Sequence, residues 1–181
     1  MRKVIISKTR IAVLFLSLST LIRCQTEPHD VEFFKNYREA SEVSFLTNKP
    51  LFIHFTCYGC MGYNEFTDDL ITDKKISKRL NKSFITVQLY VDDKQKIEKT
   101  DTIGFCKIDL SQQGIELLRN AKTTGEVNQA LQIGLFNSNN QPLYAVIDSE
   151  GNLIKKPFGY SGKNASAFLS NLEDRLDIVE K

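Results

Sequence analysis

The sequence predicts an α/β fold, a central mixed sheet flanked by helices on both faces, and three observations point to it. Two short runs rich in apolar and aromatic residues, 51–56 and 84–91, are separated by helix signals. Strand, helix, strand is the unit that builds a parallel pair with a right-handed crossover. A third run, 143–148, leads through Ser149-Glu150-Gly151-Asn152 to Leu153-Ile154-Lys155, a hairpin signal that adds an antiparallel member. The last apolar segment, about 164–179, sets Phe168, Leu169, Leu172, Leu176 and Val179 along one helical face.

In chain order, residues 1–24 read as an export signal, 25–30 (QTEPHD) as a polar tether and 31–181 as one folded domain. Asp30 is expected to cap a helix through Val31, Phe34, Tyr37, Ala40, Ser41 and Phe45, which Asn48-Lys49-Pro50 ends. Leu51-Phe52-Ile53-His54-Phe55-Thr56 lacks polar alternation and predicts a strand buried on both faces. Cys57-Tyr58-Gly59-Cys60 makes a sharp turn, a helix follows over 61–70, and Asp73 caps another over 74–80. After the second strand, 92–122 is a long charged connection with a helical piece around 110–121, in which Asp92-Asp93 and the lysines read as a solvated loop. Helical spacing returns at Val127, Ala130, Leu131 and Leu135, Asn137-Ser138-Asn139-Asn140 turns the chain, and Pro142 opens the third strand.

The 181 residues are 41% hydrophobic and 25% charged, with 9 Gly and 4 Pro, which excludes a disordered or fibrous chain and leaves room for one core. The net charge of +2 is local: Arg2, Lys3, Lys8, Arg10 and Arg23 fall in the first 23 residues, which hold no acid. Without those five of the 24 basic residues, 19 stand against 22 acidic ones, a balance of −3. A non-specific nucleic-acid surface is thereby excluded. Lys3, Lys8 and Arg10 precede the apolar run 11–22, the pattern of a secretory signal. Cys24 follows as in a bacterial lipoprotein signal, but Arg23 stands where a small residue is usual. Lipidation of Cys24, cleavage near Ser17-Leu18-Ser19 and retention as a membrane anchor all stay open. Each implies a periplasmic or extracytoplasmic domain.

Outside the cytoplasm, close thiol pairs persist as disulfides. Setting Cys24 aside leaves Cys57, Cys60 and Cys106, so at most one intrachain bridge forms. Cys60 is expected at a helix start, where unpaired amides and the helix dipole stabilise a thiolate; the competing reading is a small buried hydrophobe.

Lys49-Pro-Leu-Phe-Ile-His-Phe-Thr-Cys-Tyr-Gly-Cys60, Leu89-Tyr-Val-Asp-Asp93, Gln141-Pro142-Leu-Tyr and Phe158-Gly-Tyr160 together resemble the C-terminal, thioredoxin-like domain of DsbD-type thiol:disulfide interchange proteins, over residues 30–178. The resemblance implies a thioredoxin-like fold and exchange with protein thiols or disulfides of the cell envelope, chemistry that uses cysteine sulfur and calls for no cofactor. It aligns Cys60 with the attacking cysteine but places Tyr63 at the resolving position, and tyrosine cannot resolve a disulfide. A second Cys-x-x-Cys lies three residues upstream, Cys57 to Cys60, and closes only if the Cα atoms come within about 7 Å. Three readings follow: an alternative redox pair, Cys60 acting alone, or a binding module that keeps the fold without turnover.

His54 aligns with a buried acid that assists proton transfer in such domains, and an imidazole with a pKa near neutrality would do the same; the plain alternative is a strand histidine satisfied by a neighbour. His54, Cys57 and Cys60 also suit a soft metal such as copper, as in thioredoxin-fold copper chaperones. Pro142 resembles the cis-proline opposite the active cysteine, with Gln141 contacting substrate; otherwise it is an ordinary proline at the start of a strand. Tyr58, Tyr63, Phe66 and Tyr160 form either an apolar surface for a partner protein or rim packing. Cys106 reads as structural or incidental, with a bridge to Cys57 or Cys60 as the alternative if its segment folds over the site.

Overall fold

The computed structural model describes residues 31–60, 73–98, 109–159 and 164–179. Among them the helices are α1 (Tyr37–Thr47), α2 (Lys74–Ser83), α3 (Gln112–Asn120), α4 (Thr124–Phe136) and α5 (Ala165–Val179). The strands are β1 (Leu51–Thr56), β2 (Ile85–Tyr90), β3 (Leu143–Ile147) and β4 (Phe158–Gly159). They form a sheet in the order β2-β1-β3-β4, with β1 parallel to β2 and antiparallel to β3.

β1 is the central strand and is buried throughout, so its alternate residues feed two cores. Leu51, Ile53 and Phe55 join Tyr37 and Ala40 of α1, Leu118 of α3 and Leu131 of α4. Phe52 faces the other way, with Ile76 and Leu80 of α2, Tyr144 and Val146 of β3, and Phe168 and Leu172 of α5. Helices therefore cover both sheet faces, as the apolar pattern required. α2 shows how: Asp73 accepts from the Lys75 and Ile76 amides, Ile76 and Leu80 turn inward, and an Arg79–Glu173 ion pair ties α2 to α5. Burying two such side chains stabilises by about 1.5–3 kcal/mol each.

Three expectations need correction. The first helix begins at Tyr37, not near Val31, because Asn36 supplies the cap through its side chain to the Arg38 and Glu39 amides. Residues before it run beside β2: the Phe34 amide donates to Thr86 O, and the Gln88 amide donates to Phe34 O. Val31 and Phe34 pack into different cores, so their spacing was not that of one helical face. Phe45, expected among the inward residues, is 68% exposed. The hairpin after β3 is real as a turn, but Leu153 makes only an isolated bridge to Ile147, and the paired strand is β4. The expected helix over 61–70, together with Cys24, Tyr63, Phe66, Cys106 and Tyr160, lies outside the described residues.

α4 is fixed at its start by a capping box: the Glu126 amide donates to Thr123 Oγ1 while Glu126 Oε2 accepts the Thr123 amide. Gly125, in that first turn, presses against the loop leaving β2. A Cβ there would stand 2.6 Å from Asp93 N and 2.8 Å from both Asp93 O and Val91 O. All three are backbone atoms, so Gly125→Ala is expected to cost about 1–3 kcal/mol, read as a lowered denaturation midpoint.

Candidate active site: the Cys57–Cys60 turn

β1 and β2 end together, with Thr56 opposite Tyr90 and the Val91 amide donating to Thr56 O. β3 starts at the same end, where Phe55 faces Leu143. The turn after β1, the loop after β2 and the peptide before β3 thus share one edge of the sheet. This is why residues distant in sequence meet there.

Cys57 and Cys60 are joined by a disulfide, with their Cα atoms 5.2 Å apart. The Cys60 amide donates to Cys57 O at 3.3 Å, closing the tight turn that the bridge needs. Both cysteines are half-buried, whereas Tyr58 and Gly59 between them are exposed. Cys60 is therefore not sealed in the interior.

Tyr58 is 61% exposed, yet its ring stacks on Tyr90 with centroids 4.0 Å apart and planes 12° apart. Behind Tyr90 runs a polar chain that sequence reading missed. Tyr90 Oη donates to Gln88 Oε1 at 3.0 Å, Lys35 Nζ donates to the same oxygen at 2.8 Å, and Gln88 Nε2 lies 3.3 Å from His54 Nδ1. Lys35 also sits 5.4 Å from the centre of the Tyr90 ring. Asn128 Nδ2 of α4 donates to Tyr90 O and anchors the strand end. The sequence carries a faint signal of this chain, since Gln88 and His54 are, with Thr56 and Thr86, the polar residues in runs that are otherwise apolar or aromatic.

His54 is fully buried, 4.9 Å from the Tyr144 ring centre. Burial first, and then the nearby Lys35 charge, push its pKa from 6.5 down to about 3, so the near-neutral imidazole expected from sequence is replaced by one that stays uncharged at physiological pH. Folding excludes a proton that the unfolded chain binds below about 6.5. Stability is complete above that pH and falls as pH drops from 6.5 toward 3, by up to about 1.4 kcal/mol per pH unit. Urea titrations between pH 7 and 4.5 are expected to show this slope in the wild type and a shallower one in His54→Gln.

The Gln141–Pro142 peptide is cis, as the sequence predicted, and lies at the disulfide end of the sheet. Gln141 Nε2 donates to Gln132 Oε1 at 2.8 Å, while Gln132 Nε2 donates to Asn140 O, which holds this peptide against α4. Asp92 departs from its expected place in a solvated loop. Its Oδ1 accepts the Tyr58 amide at 2.9 Å, and its Oδ2 accepts the Gly59 amide at 3.3 Å. The following Asp93 caps the Gln95 amide instead. Among the described residues no group of three or more potential ligands gathers, and such convergence is what a copper site on His54, Cys57 and Cys60 requires.

No protein-family model and no curated protein matches the sequence. Solved structures do match the fold. A DsbH oxidoreductase aligns over 84% of this chain and 91% of its own, at 18% identity and a TM-score of 0.59. A candidate disulphide isomerase from Bacteroides thetaiotaomicron aligns over 81% of this chain and 93% of its own, at 13% identity and a TM-score of 0.52. The four-stranded mixed sheet, its helices on both faces and these likenesses give the chain a thioredoxin-like fold.

Proposed function

We propose that this chain is a thiol:disulfide exchange protein of the cell envelope, with Cys60 as nucleophile and Cys57 as its partner. The observation that carries the reading is a bonded cysteine pair in a half-exposed turn at the edge of the sheet, beside a cis-proline. A partner thiolate attacks one sulfur of the pair, the Cys57–Cys60 bond breaks, and the other sulfur leaves as a thiolate that takes a proton. A second partner thiolate then cleaves the mixed disulfide. Two electrons and two protons pass from the partner dithiol to the pair, which oxidises the partner, and the reverse sequence reduces a partner disulfide.

Tyr58, between the two cysteines, and the Gln141–Pro142 peptide, at the same end of the sheet, form the surface a substrate chain meets. His54 enters as a neutral group that braces the strand end through Gln88 and Tyr90. The names of the two similar structures support disulfide chemistry, and the basic and apolar N-terminus supports export, with attachment through Cys24 as one form of it. The alternative is a binding module of the same fold without turnover, which the exposed Tyr58 favours.

Exchange between glutathione and a peptide carrying one disulfide separates the two. The exchange reading expects the protein to accelerate the reaction at substoichiometric amounts. A rate equal to that of the Cys57→Ser/Cys60→Ser double variant would leave only the binding reading.

A further inference from the structure

The geometry points to Asp92 as a positioning residue that sets the reduction potential of the Cys57–Cys60 pair, holding it toward the disulfide; this rests on the exchange reading above. Each carboxylate oxygen accepts from one of the three amides in the disulfide loop, Tyr58 N at 2.9 Å and Gly59 N at 3.3 Å, while the third, Cys60 N, donates to Cys57 O. Tyr58 N is bonded directly to the Cys57 carbonyl carbon, so the carboxylate is hydrogen-bonded into the backbone of the disulfide loop itself.

Two consequences follow, and both have the same sign. The amides at the turn, which would otherwise help hold a thiolate, are occupied by Asp92. A thiolate released there also faces a like charge, which raises its pKa. Ionisation of the reduced pair is thereby disfavoured, and with it the stabilisation a thiolate would lend the reduced state, while the closed turn keeps two charge-assisted hydrogen bonds. Asp92 is itself held in place, because the next residue is locked to α4: the Gly125 amide donates to Asp93 O at 2.9 Å.

The redox step is two-electron reduction of the Cys57–Cys60 bond by two glutathione thiols, giving the dithiol and glutathione disulfide. The full chain, wild type and variants, is equilibrated in glutathione buffers at pH 7, its thiols are trapped, and the Cys57 and Cys60 peptides are quantified. Asp92→Asn and Asp92→Ser are each expected to shift the equilibrium about tenfold toward the dithiol, or about 30 mV. Alkylation rates against pH are expected to place the reactive thiol of these variants about one pH unit lower than in the wild type. Asp93→Asn, which alters the Gln95 cap and not the turn, is expected to behave as wild type. Equilibrium constants within twofold of wild type for both Asp92 variants would overturn the assignment. So would an equal shift in Asp93→Asn. If the wild-type pair never equilibrates with glutathione, the exchange reading falls and this one with it; if the wild type equilibrates and the Asp92 variants match it, only the role of Asp92 is lost.

Discussion

Cys57→Ser is expected to let Cys60 capture a partner but not release it. In the wild type the Cys57 sulfur is bonded to Cys60 across a turn whose Cα atoms are 5.2 Å apart, so it is always within striking distance of a mixed disulfide on Cys60. An intramolecular group so placed acts at an effective concentration far above the millimolar level of an external thiol, and its loss is expected to slow release by about a thousandfold or more. The trapped complex should appear as a stable, reductant-sensitive adduct on non-reducing gels. Cys60→Ser is expected to give no such adduct. Fast turnover in Cys57→Ser would mean that Cys60 works alone and that the shifted pair is incidental.

The largest stability effect is expected from Phe52→Ala. Phe52 has no exposed surface and lies at the centre of an aromatic group, with the rings of Tyr144, Phe168 and Phe84 at 6.0, 6.1 and 6.2 Å. Tyr144 and Phe168 come from β3 and α5, and Phe84 closes α2, so one side chain joins three elements. Truncation removes both its burial and its ring contacts, at a cost of about 3–5 kcal/mol. For a domain of this size that lowers the midpoint of thermal unfolding by roughly 10 °C or more. A loss below about 1 kcal/mol would mean that the α2–α5 layer does not close over the sheet as described.

Where apolar periodicity has a single cause, the sequence is a good guide. β1, β2, α2, α4 and α5 announce themselves because each helix turns one apolar face inward and each strand is buried along its length, and Asp73 caps α2 where its side chain indicates. α1 starts later than the spacing predicts because Val31 and Phe34 answer to two different cores, a distinction that one-dimensional spacing does not carry. β4 begins later than the hairpin signal predicts because the turn at 149–152 pairs Leu153 only once before the strand begins at Phe158.

At the site, the cysteine pair and the cis-proline were legible as motifs. The role of Asp92 was not, since an acid after a strand reads as solvated unless one knows that β1 and β2 are parallel and end side by side. The charge state of His54 was equally hidden. Its burial and its Lys35 neighbour are products of the tertiary fold.

The most direct measurement is a glutathione titration of the purified protein, with thiols trapped and each cysteine-bearing peptide mapped at every step. The account predicts one two-electron transition in which Cys57 and Cys60 gain and lose thiols together, while Cys106 takes no part. A bridge from Cys106 to either of them, or thiols on Cys57 and Cys60 that never oxidise, would contradict it.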